Sequence, residues 1–243
     1  MFGVEGKRAV VTASGGKMGG AIALRLAEAG ASIVLNDRVP GLTAPYADQI
    51  RAMGRAVLEV EGDVTERASA EAVVGAAIDT WGGVDILVNN VGGMKGPYTD
   101  ELADITEDSW DTTMRINLRG TFLCSQLAVP GMIERRSGKI VNIASTAWAG
   151  GVSPYSVSKA GVVSFTRGLA NELAKHNINV NAVAPGATQT RVQYGDEILP
   201  RIPLRRVNDP EDVANTVLFL ASDEARQISG QLVIVAGGSN PSL

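Results

Sequence analysis

Seven short apolar runs punctuate the chain, at residues 8–12, 32–35, 56–60, 86–89, 139–143, 179–183 and 232–235. They are mostly rich in Val and Ile and show no strict polar alternation, which is the pattern of strands covered on both faces. Between them lie segments with apolar residues at helical spacing: 19–29, 44–53, 68–80, 108–133, 155–175 and 209–221. Strand and helix alternate from one end to the other. This predicts an α/β fold built on a doubly wound parallel sheet with helices on both faces. No linker, repeat, charge block or low-complexity tract interrupts the pattern, so residues 1–243 read as a single domain. The stretch 187–207 is the longest connection without clear periodicity, and is expected to be a substrate-covering loop.

Composition narrows the possibilities. Hydrophobic residues make up 45% and charged residues 20% of the 243, enough for a sizeable core. A net charge of −4 argues against nucleic acid or an anionic membrane as partner. Cys124 and His176 are the single cysteine and the single histidine. An intrachain disulfide is excluded, and no metal site is expected, because zinc draws its ligands from several such residues. There is no signal-peptide pattern and no apolar run long enough to cross a bilayer, so a cytoplasmic location is expected.

In such a sheet ligands bind beyond the carboxyl ends of the strands. The first strand ends at Thr12 and is followed by Ala13-Ser14-Gly15-Gly16-Lys17-Met18-Gly19 and a helix. Glycines let the backbone turn tightly and approach a pyrophosphate, whose charge is favoured at a helix N-terminus. The second strand ends at Asp37, about twenty residues further on, where a carboxylate would accept hydrogen bonds from ribose hydroxyls and repel a 2′-phosphate. NAD is therefore the expected cofactor of this Rossmann arrangement. Arg38 is adjacent and could pair with a phosphate, which keeps NADP open. Asp63-Val64 and Asn89-Asn90-Val91-Gly92 add polar groups at two further strand ends, where each alone could be a simple turn.

The chemistry lies past the fifth strand, at Ser145 and at Tyr155-Ser156-Val157-Ser158-Lys159. Tyr155 and Lys159, four apart, share a helical face. An ammonium beside a phenol favours phenolate and would draw the tyrosine toward useful acid/base strength.

With these residues the chain resembles the short-chain dehydrogenase/reductase family over nearly its whole length. The residues that carry the likeness are the Thr12–Gly19 loop, Asp63, the 89–92 segment, Asn117, Ser145, Tyr155 with Lys159, Pro185-Gly186 with Thr190, and the tail from Pro210 to Gly238. The resemblance implies an oxidoreductase that moves a hydride between a nicotinamide and a secondary alcohol or ketone. It implies that Tyr155 exchanges the proton, Ser145 holds the substrate oxygen and Lys159 binds the nicotinamide ribose. It also implies that Asn117 holds a water, that Asp63 contacts adenine, and that 185–190, with Thr188, fixes the nicotinamide. Pairing of segments 108–133 and 155–175 across a two-fold axis, giving a dimer or homotetramer, is implied as well.

The chain departs from the family pattern in three respects. Ala13 and Lys17 stand where the loop usually has glycine, Ser145 and Tyr155 are only ten apart, and Ala236 replaces an acidic residue. Lys17 either turns outward as a solvated side chain or folds over the diphosphate, and the outward pose is expected. The other readings are a 3-oxoacyl-thioester reductase using NADPH and a non-catalytic cofactor-binding protein. A complete Ser, Tyr, Lys and Asn set argues against the latter. Met94, Tyr98, Trp148, Gln193 and Tyr194 are expected to line a moderately apolar pocket. Arg135, Arg136 and Lys175 form either a docking patch for an acyl carrier protein or, as expected, solvated helix ends.

Overall fold

The computed structural model describes residues 3–96, 98–99, 101–190 and 194–239. Seven parallel strands form one sheet: β1 (Arg8–Val11), β2 (Ser32–Asp37), β3 (Val57–Glu61), β4 (Ile86–Asn89), β5 (Gly138–Ile143), β6 (Ile178–Pro185) and β7 (Leu232–Val235). Their order is β3-β2-β1-β4-β5-β6-β7, with the switch point between β1 and β4.

The strands read as unbroken apolar runs because each alternates between two cores. Ala9, Val11, Ile33, Leu35, Ile86 and Val88 face a layer formed by α1 (Lys17–Glu28), α2 (Ala44–Ala52) and α7 (Pro210–Ala221). Val10, Val34, Leu87 and Ile140 face α3 (Arg67–Trp81) and α5 (Gly120–Arg135) on the other side. A third cluster joins α6 (Pro154–Leu173) to Ala182 and Ala184 of β6. Full burial of one Leu or Ile side chain contributes roughly 1.5–3 kcal/mol, so the central strands anchor the sheet. At the two edges, β3 and β7 are only partly buried, as expected where one neighbour is missing.

Several boundaries differ from the sequence expectation, and local chemistry explains them. Segment 108–133 is not one helix: α4 (Glu107–Met114), capped by Thr106, passes through a π-turn at Arg115–Arg119 into α5. The apolar pattern runs through this turn and so conceals it. Ser153 caps α6 and Pro154 occupies its first position, which places Tyr155 in the first turn. At its far end α6 tightens into a 3₁₀ turn, Ala174–His176. The first helix opens at Lys17, two residues earlier than expected, with Gly16 as its N-cap. β6 continues to Pro185, and within the 187–207 connection a 3₁₀ helix forms at Asp196–Arg201. Among the described residues no helix is long and apolar enough to cross a membrane, and no cluster of His, Cys, Asp or Glu could hold a metal.

Candidate active site

At the end of β1 the Thr12 hydroxyl accepts from the N–H groups of Asn90 (3.0 Å) and Val91 (3.1 Å). The Asn90 amide returns two bonds, to the carbonyls of Thr12 (3.1 Å) and Ala13 (3.0 Å). Ala13 is left-handed, with φ +51°, a conformation that costs an L-residue roughly 1–2 kcal/mol. Its place in the loop explains why glycine is the ordinary residue there.

The next residues turn against the end of β2. Ser14 N–H donates to the Asn36 carbonyl (2.7 Å) and Gly15 N–H to Asp37 Oδ2 (3.2 Å). The second Asp37 oxygen accepts from Val39 N–H at 3.1 Å. Gly19 is required by close approach, since a Cβ there would lie 2.5 Å from the Ala13 carbonyl and 2.6 Å from the Asn90 amide. Gly16, by contrast, has room, since a Cβ there would meet only the Ala13 carbonyl, at 4.0 Å. The first intrahelical bond of α1 is Gly20 N–H to Gly16 O. The N–H groups of Lys17, Met18 and Gly19 therefore precede it, and they point out of the helix end where an anion is favoured. Lys17 is exposed at this first helical position, Met18 packs on the core beneath, and Arg38 is exposed beyond Asp37. This cradle fits the diphosphate of a dinucleotide.

At the third strand end Asp63 accepts from Thr65 N–H (2.9 Å), forming a tight turn that buries Val64. Arg119 donates to the Thr65 carbonyl (2.9 Å), joining this turn to the π-turn. Asn89 lies elsewhere. Its amide donates to Asn142 (2.9 Å) and Ser125 (3.1 Å) within the core, so its side chain belongs to a buried polar chain and not to the cleft.

Asn117, fully buried on the π-turn, acts as a clamp. Its Oδ1 accepts from Gly93 N–H (3.0 Å), while its Nδ2 donates to Gly93 O (2.8 Å), Thr113 O (3.1 Å) and Ser158 Oγ (2.9 Å). Gly92 lies beneath this clamp, where a Cβ would come within 2.8 Å of Lys159 Nζ. Lys159 is buried, donates to the Ile143 carbonyl (2.8 Å) and sits 5.7 Å from the centre of the Tyr155 ring. Burial in apolar surroundings pushes its ammonium down to about 8.

The expected depression of the Tyr155 phenol does not occur here. Burial raises it, a hydrogen bond with Ser145 pulls it back, and the neighbouring phenols Tyr194 and Tyr98 push it up again. The Lys159 ammonium does not offset this burial: it lies over the ring and is bound to the Ile143 carbonyl. Ser145 caps a short 3₁₀ helix, Thr146–Ala149, by accepting from Ala147 N–H (3.2 Å). This compact turn bridges the short interval to Tyr155.

Across the cleft, Gly186 N–H donates to Val235 O (2.9 Å), and a Cβ on Gly186 would lie 2.8 Å from that of Ala236. The third departure is thus a packing contact. Pro185 ends β6, Thr188 is buried and donates to the Gly186 carbonyl (3.0 Å), and Thr190 is half-buried beside it. Asn208 anchors the segment from below through Ala187, Gln189 and Val235.

Of the expected pocket residues, Tyr98 and Tyr194 act on Tyr155, and Met94 is half-buried in the segment after Gly93. Trp148 is half-buried and packs on the cluster that holds Ala144, Val162 and Val163, and Gln193 lies outside the described residues. Arg135 is bound to the Val84 carbonyl (2.6 Å), near Asp85, and Arg136 to the Lys175 carbonyl (3.1 Å). These groups finish helix ends. Asn36, Gly93, Ser158 and Asn208 were missed by sequence reasoning; only a lone amide in an apolar strand marked Asn36 in advance.

Comparison with known proteins agrees with this geometry. Residues 13–240 match the family model described as Enoyl-(Acyl carrier protein) reductase. The chain is 42% identical over 245 residues to the (2S)-[(R)-hydroxy(phenyl)methyl]succinyl-CoA dehydrogenase subunit BbsD of Thauera aromatica, covering 98% of both. It is 39% identical over 250 residues to 2-dehydro-3-deoxy-D-gluconate 5-dehydrogenase of Escherichia coli, covering 98% of this chain and 96% of the relative. A solved short-chain type dehydrogenase/reductase from Mycobacterium marinum superposes with a TM-score of 0.91 at 30% identity, over 98% of this chain and 97% of the other.

Proposed function

The chain belongs to the short-chain dehydrogenase/reductase family, and on that premise we propose that Tyr155 is the acid/base of its reaction. The protein is an oxidoreductase that transfers a hydride between a nicotinamide cofactor and a secondary alcohol or ketone. When bound, the nicotinamide supplies or accepts the hydride.

The observation that carries the proposal is the convergence of Ser145, Tyr155 and buried Lys159 at the end of β5, beside Gly92. In reduction, the phenol donates its proton to the developing alkoxide while the Ser145 hydroxyl donates a hydrogen bond to the same oxygen. Burial keeps the phenol protonated and ready for that step. In oxidation the phenolate accepts the alcohol proton. Asn117 holds Gly92 and Gly93 over Lys159, which fixes the floor of the site.

For the cofactor we propose NAD(H). Asp37 sits beside the cradle with its carboxylate oriented by Gly15 and Val39, and a 2′-phosphate would lie against it. For the substrate we place acyl thioesters first, because the relative from T. aromatica is named for a secondary alcohol on a succinyl-CoA. Exposed Phe122 on α5 and Val157 on α6 support a homo-oligomer built across these helices, which light scattering would read as a multiple of the chain mass. The decisive experiment assays 3-hydroxyacyl-CoA esters, their ketones, sugar acids and simple secondary alcohols with NAD(H) and NADP(H), following absorbance of the reduced nicotinamide. Turnover highest on a thioester, with better kcat/KM for NAD(H), is the expected result. Preference for NADP(H) would overturn the role given to Asp37.

A further inference from the structure

We infer that Asn36 is a positioning residue that holds the phosphate loop in its binding shape, in place of the glycine that the family loop carries at position 13. The inference rests on the reading of residues 12–19 as the cofactor cradle.

Three consecutive N–H groups of that loop are held by two consecutive residues of β2. Ala13 N–H donates to Asn36 Oδ1 (3.4 Å), Ser14 N–H to Asn36 O (2.7 Å) and Gly15 N–H to Asp37 Oδ2 (3.2 Å). The Ser14 hydroxyl closes the contact by accepting from Asn36 N–H at 2.9 Å. On its other side Asn36 Nδ2 donates to the carbonyls of Val60 and Gly62, each at 3.0 Å. The amide cannot turn over, because its NH₂ would then face an N–H and its oxygen two carbonyls. Asn36 therefore ties the glycine loop to the end of β3, one residue before Asp63.

The sheet itself does not need an amide at this place. Asn36 is 1% exposed, and a buried amide is costly unless every partner is supplied. An apolar residue of similar size would fill the same space in the strand, though without the donor that Val60 and Gly62 now have. What the amide adds is a grip on residue 13, which is the residue in the left-handed conformation. An alanine stays there only where its surroundings over-determine it. Asn90 grips the Ala13 carbonyl and Asn36 its N–H, so the peptide planes on both sides of its Cα are fixed.

The test is a double-mutant cycle with Asn36→Val, Ala13→Gly and both together, reading the Kd for NADH by fluorescence, the cofactor KM, kcat and the Tm. Asn36→Val is expected to weaken NADH binding about tenfold in the parent and less than about threefold in the A13G background, where the loop reaches the same shape unaided. KM for the cofactor should rise while kcat at saturation stays within about threefold, since Tyr155 is untouched. Asn36→Ser replaces Asn36→Val if the latter proves insoluble. Equal losses of Kd in both backgrounds, or a lower Tm with unchanged Kd, would overturn the inference. A parent that binds neither NADH nor NADPH would defeat the cofactor reading. The Tm coupling between positions 36 and 13 would then still decide whether Asn36 holds the loop.

Discussion

At the β1–β2 end of the cleft, the working parts are backbone N–H groups held in place by Asn36, Asp37 and Asn90. At the β5–α6 end they are two ionisable side chains, half-buried Tyr155 and buried Lys159. The first region spends many ordinary hydrogen bonds to fix a shape, and tolerates one unfavourable backbone angle because the bonds outnumber it. The second shifts proton affinities by burial, at the expense of folding free energy. Shape can be secured redundantly; a tuned charge has few substitutes. The two regions should therefore respond differently to mutation.

The largest expected effect lies at the chemical end. Tyr155→Phe removes one hydroxyl and should lower kcat by about 10²–10⁴-fold, leaving the Kd for NADH and the Tm near the parent values. Turnover within a few-fold of the parent would move the proton to another group.

Next comes the cost of burying Lys159. Its ammonium is pushed from 10.5 down to about 8, so the unfolded chain binds the extra proton between those values. Stability from this group is absent below pH 8 and is gained as pH rises toward 10.5. Relative to Lys159→Met, the parent's unfolding free energy in urea should climb by about 3 kcal/mol across that window. A flat difference would mean that the lysine titrates normally and that the contrast between the two regions is false.

The cofactor end should show smaller effects. Ala13→Gly relieves the left-handed residue but loosens the unfolded chain, for a net gain of about 0.5–1 kcal/mol in stability. Calorimetry would register this as a Tm higher by roughly 1–3 °C. A fall in Tm would show that Ala13 is not strained. Smallest of all is Lys17→Gly. The exposed side chain should leave the Kd for NADH within about threefold, or roughly 0.7 kcal/mol. A tenfold weakening would place the ammonium over the phosphates.

How legible each region was in the sequence follows from the same contrast. The sheet could be read because each strand alternates between two cores, as Val10 does against Ala9 and Val11, and so leaves no polar gap. The loop, Asp37, Ser145, Tyr155 and Lys159 could be read because their spacing along the chain reflects their placement at strand ends. Asn36 could not, since its partners are backbone groups brought to it only by folding. The direction of the Tyr155 shift was misjudged because an i,i+4 spacing places two side chains on one face without saying where the ammonium points. The π-turn was invisible because its residues keep the apolar rhythm of the helices on either side.

That π-turn also makes part of this chain a matter of counting. Each residue of an α-helix turns the next by about 100°, and a π-turn stores one residue more than the α-helical spacing between two aligned segments. Deleting any one residue from 115–119 would let the backbone run on as ordinary α-helix, with every local hydrogen bond restored. Because the residue removed is the one the turn stores, Leu123, Cys124, Ala128 and Met132 downstream would keep the face they now turn to the sheet. The interval between Thr113 and Gly120 thus works as a store for one spare residue. Loss of one residue there would leave α4 and α5 in step, whereas the same deletion inside α5 would turn everything beyond it by about 100°.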